Sequence, residues 1–253
     1  MVAVVTGAAG GIGTAVARRL AGTATTVAMV DREATALAEA VEKLTADGLP
    51  VCGFLADVAD SAEVESVVAE VEDRLGPVES LVNAAGVLRL GDARHCADDD
   101  WDVMFAVNAA GVFRMSRAVV NRMVPRGRGA IVTVASNAAG TPRSGMSGYA
   151  ASKAAAVMLT KSMGLEVARY GIRCNVVAPG STDTAMLRSM WHGEAGPKAT
   201  LEGDLAAYRL GIPLGKIGQP SDVADAVGFL LSDRAGHITM ATLTVDGGAT
   251  LGV

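Results

Sequence analysis

Residues 2–13 read VAVVTGAAGGIG. The run Val2-Ala3-Val4-Val5 predicts a short strand buried on both faces, the kind found inside a parallel sheet. A glycine-rich turn follows, and a helical pattern then extends through Leu20. Strand, glycine-rich turn and helix, in that order, form a place for a pyrophosphate. Gly7 permits the tight turn, while Gly11 and Gly13, on either side of Ile12, let backbone approach the anion and let the helix pack on the strand. The helix N-terminus supplies N–H donors and the positive dipole end. The spacing is GxxxGxG and not the better-known GxGxxG. Taken alone, it is also compatible with an ordinary glycine-rich turn.

Working outward, apolar runs and helical patterns alternate. Residues 26–30 are a second strand that ends at Asp31, where a carboxylate can accept hydrogen bonds from adenosine ribose hydroxyls and repel a 2′-phosphate. That favours NAD over NADP, although neighbouring Arg32 softens the discrimination and Asp31 also suits a helix cap. A helix over 34–47 stops at Gly48-Leu49-Pro50. A third strand, 51–55, leads to Asp57-Val58, a loop placed beside an adenine in such a fold. Ser61 reads as the N-cap of a helix to Leu75. A fourth strand, 80–82, runs into Asn83-Ala84-Ala85-Gly86. Carboxylates at Asp98-Asp99-Asp100 suit the first turn of a helix over 99–123 that contains Asn108. Residues 172–178 form another strand, closed by Pro179-Gly180. Residues 181–212, with Thr182 and Thr184 at their start, are more polar and irregular and predict a mobile flap over a pocket. Ser221 reads as the cap of a last helix to Leu231, and residues 241–245 as the final strand.

This alternation predicts one α/β domain over 1–253: a doubly wound, Rossmann-type, mostly seven-stranded parallel sheet with helices on both faces and right-handed crossovers. A ligand then belongs at the carboxyl ends of the strands. The glycine-rich turn, Asp31, Asp57, the NAAG segment and Pro179-Gly180 all follow strand ends.

So does Ser136, delivered by the buried-looking run 130–135. Tyr149 and Lys153 follow, four residues apart. On a helix such positions share a face, so phenol and ammonium lie side by side with the Ser136 hydroxyl near the strand end. A neighbouring ammonium favours phenolate and lowers the Tyr pKa, which makes a proton acceptor near neutral pH. A solvated helix face carries the same pair without chemistry.

TGAAGGIG, NAAG, Asn108, Ser136, YAASK and the Pro179-Gly180 turn, in this order, resemble the short-chain dehydrogenase/reductases across essentially the whole chain. The resemblance implies a four-residue centre. Tyr149 exchanges the proton with the substrate oxygen, Lys153 holds the nicotinamide ribose and depresses the Tyr pKa, Ser136 orients the substrate oxygen, and Asn108 positions a water. It also implies a homotetramer, for which the small residues Ala154, Ala155 and Ala156 offer a packing face. Within the family, segments such as VNAAGVLRLGD, RCNVVAPGSTDTAM and LGIPLGKIGQP are similar to the branch that oxidises 2,3-dihydro-2,3-dihydroxybenzoate with NAD to 2,3-dihydroxybenzoate, the catechol acid of siderophore assembly. Asn137 and Gly140 depart from that branch, where the resemblance implies an acidic and a larger polar residue. The 2-amino analogue, trans-2,3-dihydro-3-hydroxyanthranilate, therefore stays open. So do an NADPH-dependent 3-oxoacyl reductase and a non-catalytic dinucleotide-binding regulator. A cyclohexadiene carboxylic acid needs a cation, and Arg143 and Arg89 flank the expected site with Met146 nearby; each is also compatible with a solvated Arg.

The totals agree with one such domain. Half of the 253 residues are apolar, only 4% are aromatic, and the net charge of −5 is well mixed, so neither nucleic acid nor an anionic membrane is an expected partner. No run of about 18 apolar residues predicts a transmembrane helix, and MVAVVTG reads as a strand inside the domain and not as a signal peptide. Cys52, Cys96 and Cys174 lack CxxC spacing and fit free thiols in the cytoplasm. His95, His192 and His237 are scattered, with no metal-ligand pattern.

Overall fold

The computed structural model describes residues 1–23, 25–191, 193 and 196–252. His192, and the flap positions Glu194 and Ala195, lie outside the described residues.

The elements follow in chain order as β1 Val2–Thr6, α1 Gly11–Ala21, β2 Thr26–Asp31, α2 Ala34–Ala46, β3 Val51–Leu55, α3 Ser61–Leu75 and β4 Val78–Asn83. Then come α4 Asp98–Phe105, α5 Val112–Met123, β5 Gly129–Val134, α6 Ser147–Val167 and β6 Ile172–Pro179. The chain finishes with α7 Ala185–Arg188, α8 Gly196–Glu202, β7 Gly203–Asp204, β8 Arg209–Leu210, α9 Pro220–Leu231 and β9 Thr242–Val245. Seven strands form one parallel sheet in the order β3-β2-β1-β4-β5-β6-β9. The order reverses between β1 and β4, so their carboxyl ends diverge there and open a crevice.

The alternation inside β1 explains the two layers. Val2 and Val4 pack with Val67, Val71, Met115 and Val119 under α3 and α5. Ala3 and Val5 pack with Val16, Leu20, Val223 and Val227 under α1 and α9. Period-two side chains thus serve both faces, and full burial of each valine contributes about 1.5–3 kcal/mol.

Several local expectations change. Asp60, not Ser61, caps α3: its Oδ1 accepts from the N–H groups of Ala62 at 2.7 Å and Glu63 at 2.9 Å. A carboxylate at that position satisfies two orphan donors and faces the positive dipole end. Gln219 caps α9, with Pro220 at the first turn and the Asp222 carboxylate accepting from the Gln219 N–H at 2.8 Å. Ser221 already lies inside the helix. The helix after Asp98 is interrupted by a π turn over Ala106–Gly111, which carries Asn108. A π turn inside an α-helix is rare and inserts a residue into the ladder. Periodicity gave no sign of it.

The whole Asp98–Arg126 helix, 29 residues, is long and apolar enough to cross a membrane by length and composition. More than half of its most apolar stretch is buried, and Met115, Val119 and Met123 lie in the core beneath the sheet. It is a core helix.

Residues 181–212 are also more regular than expected. They hold two short helices and the β7–β8 hairpin, whose turn exposes Leu205 and Tyr208 almost fully.

Candidate active site

Two clefts open at the carboxyl edge of the sheet and meet at Ile12, Thr184 and Met186. The first, about 400 Å³, runs from the glycine-rich turn to the end of β2. Gly7, Gly11, Ile12 and Gly13 form one wall, and Ala84, Ala85 and Gly86 another. Asp31, Arg32, Asp57 and Val58 lie at its far end. Two glycines are required by contact. Gly7 has φ +63°, and a Cβ there would sit 2.6 Å from the Ala85 Cα. A Cβ at Gly13 would sit 2.1 Å from the Gly7 carbonyl oxygen. The α1 N-cap is Gly10, without a side-chain cap, and the first turn has no acid, so the positive helix end faces the cleft uncompensated. This cleft fits a dinucleotide: donors for a pyrophosphate at the centre and a carboxylate for hydroxyls beyond it.

Asp31 is not the N-cap of α2, which is Glu33. Its Oδ2 accepts from the Ala9 N–H at 3.0 Å and its Oδ1 from the Glu33 N–H at 3.1 Å. It therefore ties the strand end to the glycine-rich turn. The Arg32 guanidinium turns to Asp57, 3.6 Å away, and to Glu33.

Asn83 does not reach the cleft. It is buried, and its Nδ2 donates to Ser116 at 2.9 Å and Thr133 at 3.4 Å. The residue that shapes the NAAG turn is Thr6, whose buried Oγ1 accepts from the N–H groups of Ala84 and Ala85 at 3.1 and 3.2 Å. A threonine ending β1 was visible in the sequence, but its reach across to β4 was not.

The second cleft is a cavity of about 390 Å³. Ser136, Asn137, Arg143, Met146 and Tyr149 line one side, and Pro179, Gly180, Thr182 and Thr184 another. Met186, Leu187, Met190, Trp191 and Thr200 of the flap roof it. Ser136 comes at the end of β5; Tyr149 sits at the start of α6. Asn137 donates to the Asp246 carboxylate at 3.2 Å. Asp246, just past β9, also accepts from Gly248 and Thr250, which hold its pKa low against the effect of burial. An acid at position 137 would face that carboxylate directly, so an amide suits this chain.

Lys153 and Asn108 lie behind Gly86, in the wall of the dinucleotide cleft. A Cβ at Gly86 would come within 3.1 Å of Lys153 Nζ and 3.4 Å of Asn108 Oδ1. Lys153 is buried, donates to the Val134 carbonyl at 3.0 Å, and has its Nζ 6.0 Å from the Tyr149 ring centre. Burial pushes its pKa down to about 8. The expected lowering of the Tyr149 pKa is not found. Burial holds it above its ordinary value, and only the hydrogen bond with Ser136 works in the other direction. The phenol and the ammonium are both desolvated, and desolvation here outweighs the neighbouring charge.

The side-chain amide of Asn108 is already spent. Its Oδ1 accepts from the Val87 N–H at 2.8 Å, and its Nδ2 donates to the Val87 carbonyl and to Ser152 Oγ, each at 2.9 Å. Ser152 in turn donates to the Tyr149 carbonyl at 2.8 Å. Asn108 thus clamps the loop after β4 to the first turns of α6.

Arg89 is not brought to the cavity. It lies 3.3 Å from Asp100 and donates to the Leu88 carbonyl. The acids that open α4 draw it outward. Its place is taken by Arg209 of the flap, which lines the cavity and donates to Ser181 Oγ at 3.2 Å.

Residues 1–195 match the family model described as short chain dehydrogenase. A 2,3-dihydro-2,3-dihydroxybenzoate dehydrogenase of Bacillus subtilis is 52% identical over 252 residues, 100% of this chain and 97% of that protein. The Escherichia coli protein of the same name is 46% identical over 83% of this chain and 85% of its own length. Among solved structures, a gluconate 5-dehydrogenase from Burkholderia cenocepacia in complex with NADP and tartrate superposes with a TM-score of 0.91 at 33% identity, covering 100% of this chain and 96% of that one. With the family model spanning most of its length and relatives this similar end to end, the chain belongs to the short-chain dehydrogenase family.

Proposed function

We propose that this enzyme oxidises 2,3-dihydro-2,3-dihydroxybenzoate to 2,3-dihydroxybenzoate, with NAD as the hydride acceptor. The observation that carries the reading is that Ser136, Tyr149 and Arg143 line one cavity, which adjoins the dinucleotide cleft at Ile12, Thr184 and Met186. That cavity offers a proton acceptor for an alcohol and a cation for an acid. The relatives at 46–52% identity bear the name of this activity.

Bound nicotinamide supplies the acceptor for the hydride. The Tyr149 oxygen would take the proton of the substrate hydroxyl as the carbon bearing it gives up its hydride, and Ser136 Oγ would hold the substrate oxygen in line. Lys153, behind Gly86, would hold the ribose of bound NAD and place positive charge near the phenol, which would favour the Tyr149 phenolate against the effect of burial. Asn108, its amide spent on Val87 and Ser152, acts through backbone, and any water it positions is held by a carbonyl of the π turn. The immediate product is a ring ketone. Its tautomerisation to the phenol gains aromatic stabilisation and pulls the oxidation forward.

NAD is favoured over NADP by Asp31, whose carboxylate would meet a 2′-phosphate. Arg143 pairs with the substrate carboxylate. The enzyme works as a cytoplasmic homotetramer within a siderophore-type pathway. The free thiols suit that compartment, and the outer face of α6, which exposes Met158 and Leu165, suits self-association. Ala154 and Ala155 lie on that side, whereas Ala156 is turned into the protein's own core.

The test is Tyr149→Phe. Turnover should be lost while NAD affinity stays within a few-fold. A variant that keeps a near wild-type rate rejects Tyr149 as the proton acceptor.

A further inference from the structure

The cavity holds an unbalanced charge. Its charged lining residues, among those described, are Arg143, Arg209 and Asp204. Asp204 is exposed and occupied by its own turn, accepting from the N–H groups of Ala206 and Ala207. Asp246 approaches Arg143 from behind but is committed to Asn137, Gly248 and Thr250. The Arg143 guanidinium has no hydrogen bond or ion pair among the described residues, and Arg209 has only the neutral hydroxyl of Ser181. The two guanidiniums are close enough to repel one another, and both are partly buried. Two like charges facing one cavity are an unfavourable arrangement that an anion between them would relieve.

We propose that Arg209, carried on the β7–β8 hairpin, closes with Arg143 on the carboxylate of the substrate, so that one guanidinium of the clamp belongs to the body and the other to the flap. This rests on the reading of the substrate as a cyclic carboxylic acid. Arg143 stands on the loop between β5 and α6; Arg209 stands on the segment that roofs the cavity. Each guanidinium offers a planar fork that matches a carboxylate. A neutral ring of the same size offers nothing to either fork. The acid thus selects itself twice, by binding to the body and by drawing the flap onto the ring. Arg209 is the specificity-determining residue that the position of Arg89 only suggested.

The experiment measures binding of 2,3-dihydroxybenzoate and of catechol, which lacks the acid, to the NAD-saturated enzyme by calorimetry. The wild type should prefer the acid by tenfold or more. Arg209→Lys keeps the charge but removes the fork, and should weaken the acid by about tenfold to a hundredfold while leaving catechol unchanged. Arg143→Lys should do the same, and unaltered NAD affinity certifies that each variant is folded. In the wild type, the acid but not catechol should slow proteolytic cleavage within residues 203–210. Retained acid affinity in Arg209→Lys, or equal protection by both ligands, overturns the clamp while the acid substrate stands. A wild type without preference for the acid overturns the substrate reading itself.

Discussion

Lys153 is a cation kept inside the protein without an anionic partner among the described residues, and its removal should make the protein more stable. Its pKa falls from the ordinary 10.5 to about 8. At ~1.4 kcal/mol per unit, holding the ammonium inside costs about 3 kcal/mol. The sign follows from proton counts. Below pH 8 both folded and unfolded chains are protonated, and the full cost is present. Between about 8 and 10.5 the unfolded chain keeps a proton that the folded chain has released, so stability rises with pH and the cost fades. Lys153→Met removes the charge and also the hydrogen bond to the Val134 carbonyl, a loss of about 1 kcal/mol. The variant should therefore gain roughly 2 kcal/mol at pH 7, and that gain should turn into a small loss by pH 10.5. Tyr149 and Cys174, whose pKa values burial raises, contribute with the opposite sign at alkaline pH, so the comparison at pH 7, where both are protonated in either state, is the cleaner one. Urea unfolding of both proteins at equal concentration, at pH 7 and pH 10, reads it directly. If Lys153→Met is less stable than wild type by the same amount at both values, the buried ammonium is compensated by the fold and the reasoning fails. A cation retained at this cost serves a ligand, and stability given up at a functional site is the usual trade.

Asp31→Ala should weaken NAD binding and shift the kcat/KM ratio for NAD over NADP by at least about tenfold, or ~1.4 kcal/mol; an unmoved ratio would leave Asp31 as a brace for Ala9 and Glu33 alone. Gly13→Ala should lower the melting temperature and abolish dinucleotide binding, because the new methyl meets the fixed Gly7 carbonyl at 2.1 Å; a cost above the usual 1–3 kcal/mol of overpacking is expected, and a variant that melts like wild type would contradict the close approach of α1 to the turn. Light scattering at micromolar concentration should report a symmetric tetramer, and a particle of 25.6 kDa would reject it.

The sheet was legible because its evidence is local. VAVVTGAAGGIG specifies a strand, a turn and a helix within one contiguous stretch, and the other strands announce themselves as short apolar runs closed by polar or glycine residues. The Ser136, Tyr149 and Arg143 grouping was legible for a related reason: all three lie within one strand–loop–helix passage. What could not be read depends on contacts distant in the chain. Thr6 bonds Ala84 and Ala85, 78 and 79 residues away. Asn137 meets Asp246 across 109 residues. Arg89 lies against Asp100 and does not line the cavity, whereas Arg209 of the β7–β8 hairpin does, a placement that depends on how the hairpin folds back. The π turn at Asn108 escaped because a single inserted residue barely disturbs helical periodicity. The direction of the Tyr149 pKa shift does not follow from proximity, since spacing along a helix reveals a neighbouring charge but not how much water is excluded from both groups.

The most direct test of the proposed activity is to offer 2,3-dihydro-2,3-dihydroxybenzoate and trans-2,3-dihydro-3-hydroxyanthranilate separately to the enzyme and to follow NAD reduction by absorbance, with the aromatic product counted against NADH. The account predicts one 2,3-dihydroxybenzoate per NADH and a kcat/KM for the diol acid well above that for the amino acid analogue. A higher kcat/KM for the amino analogue, or no NAD reduction with either acid, would contradict it.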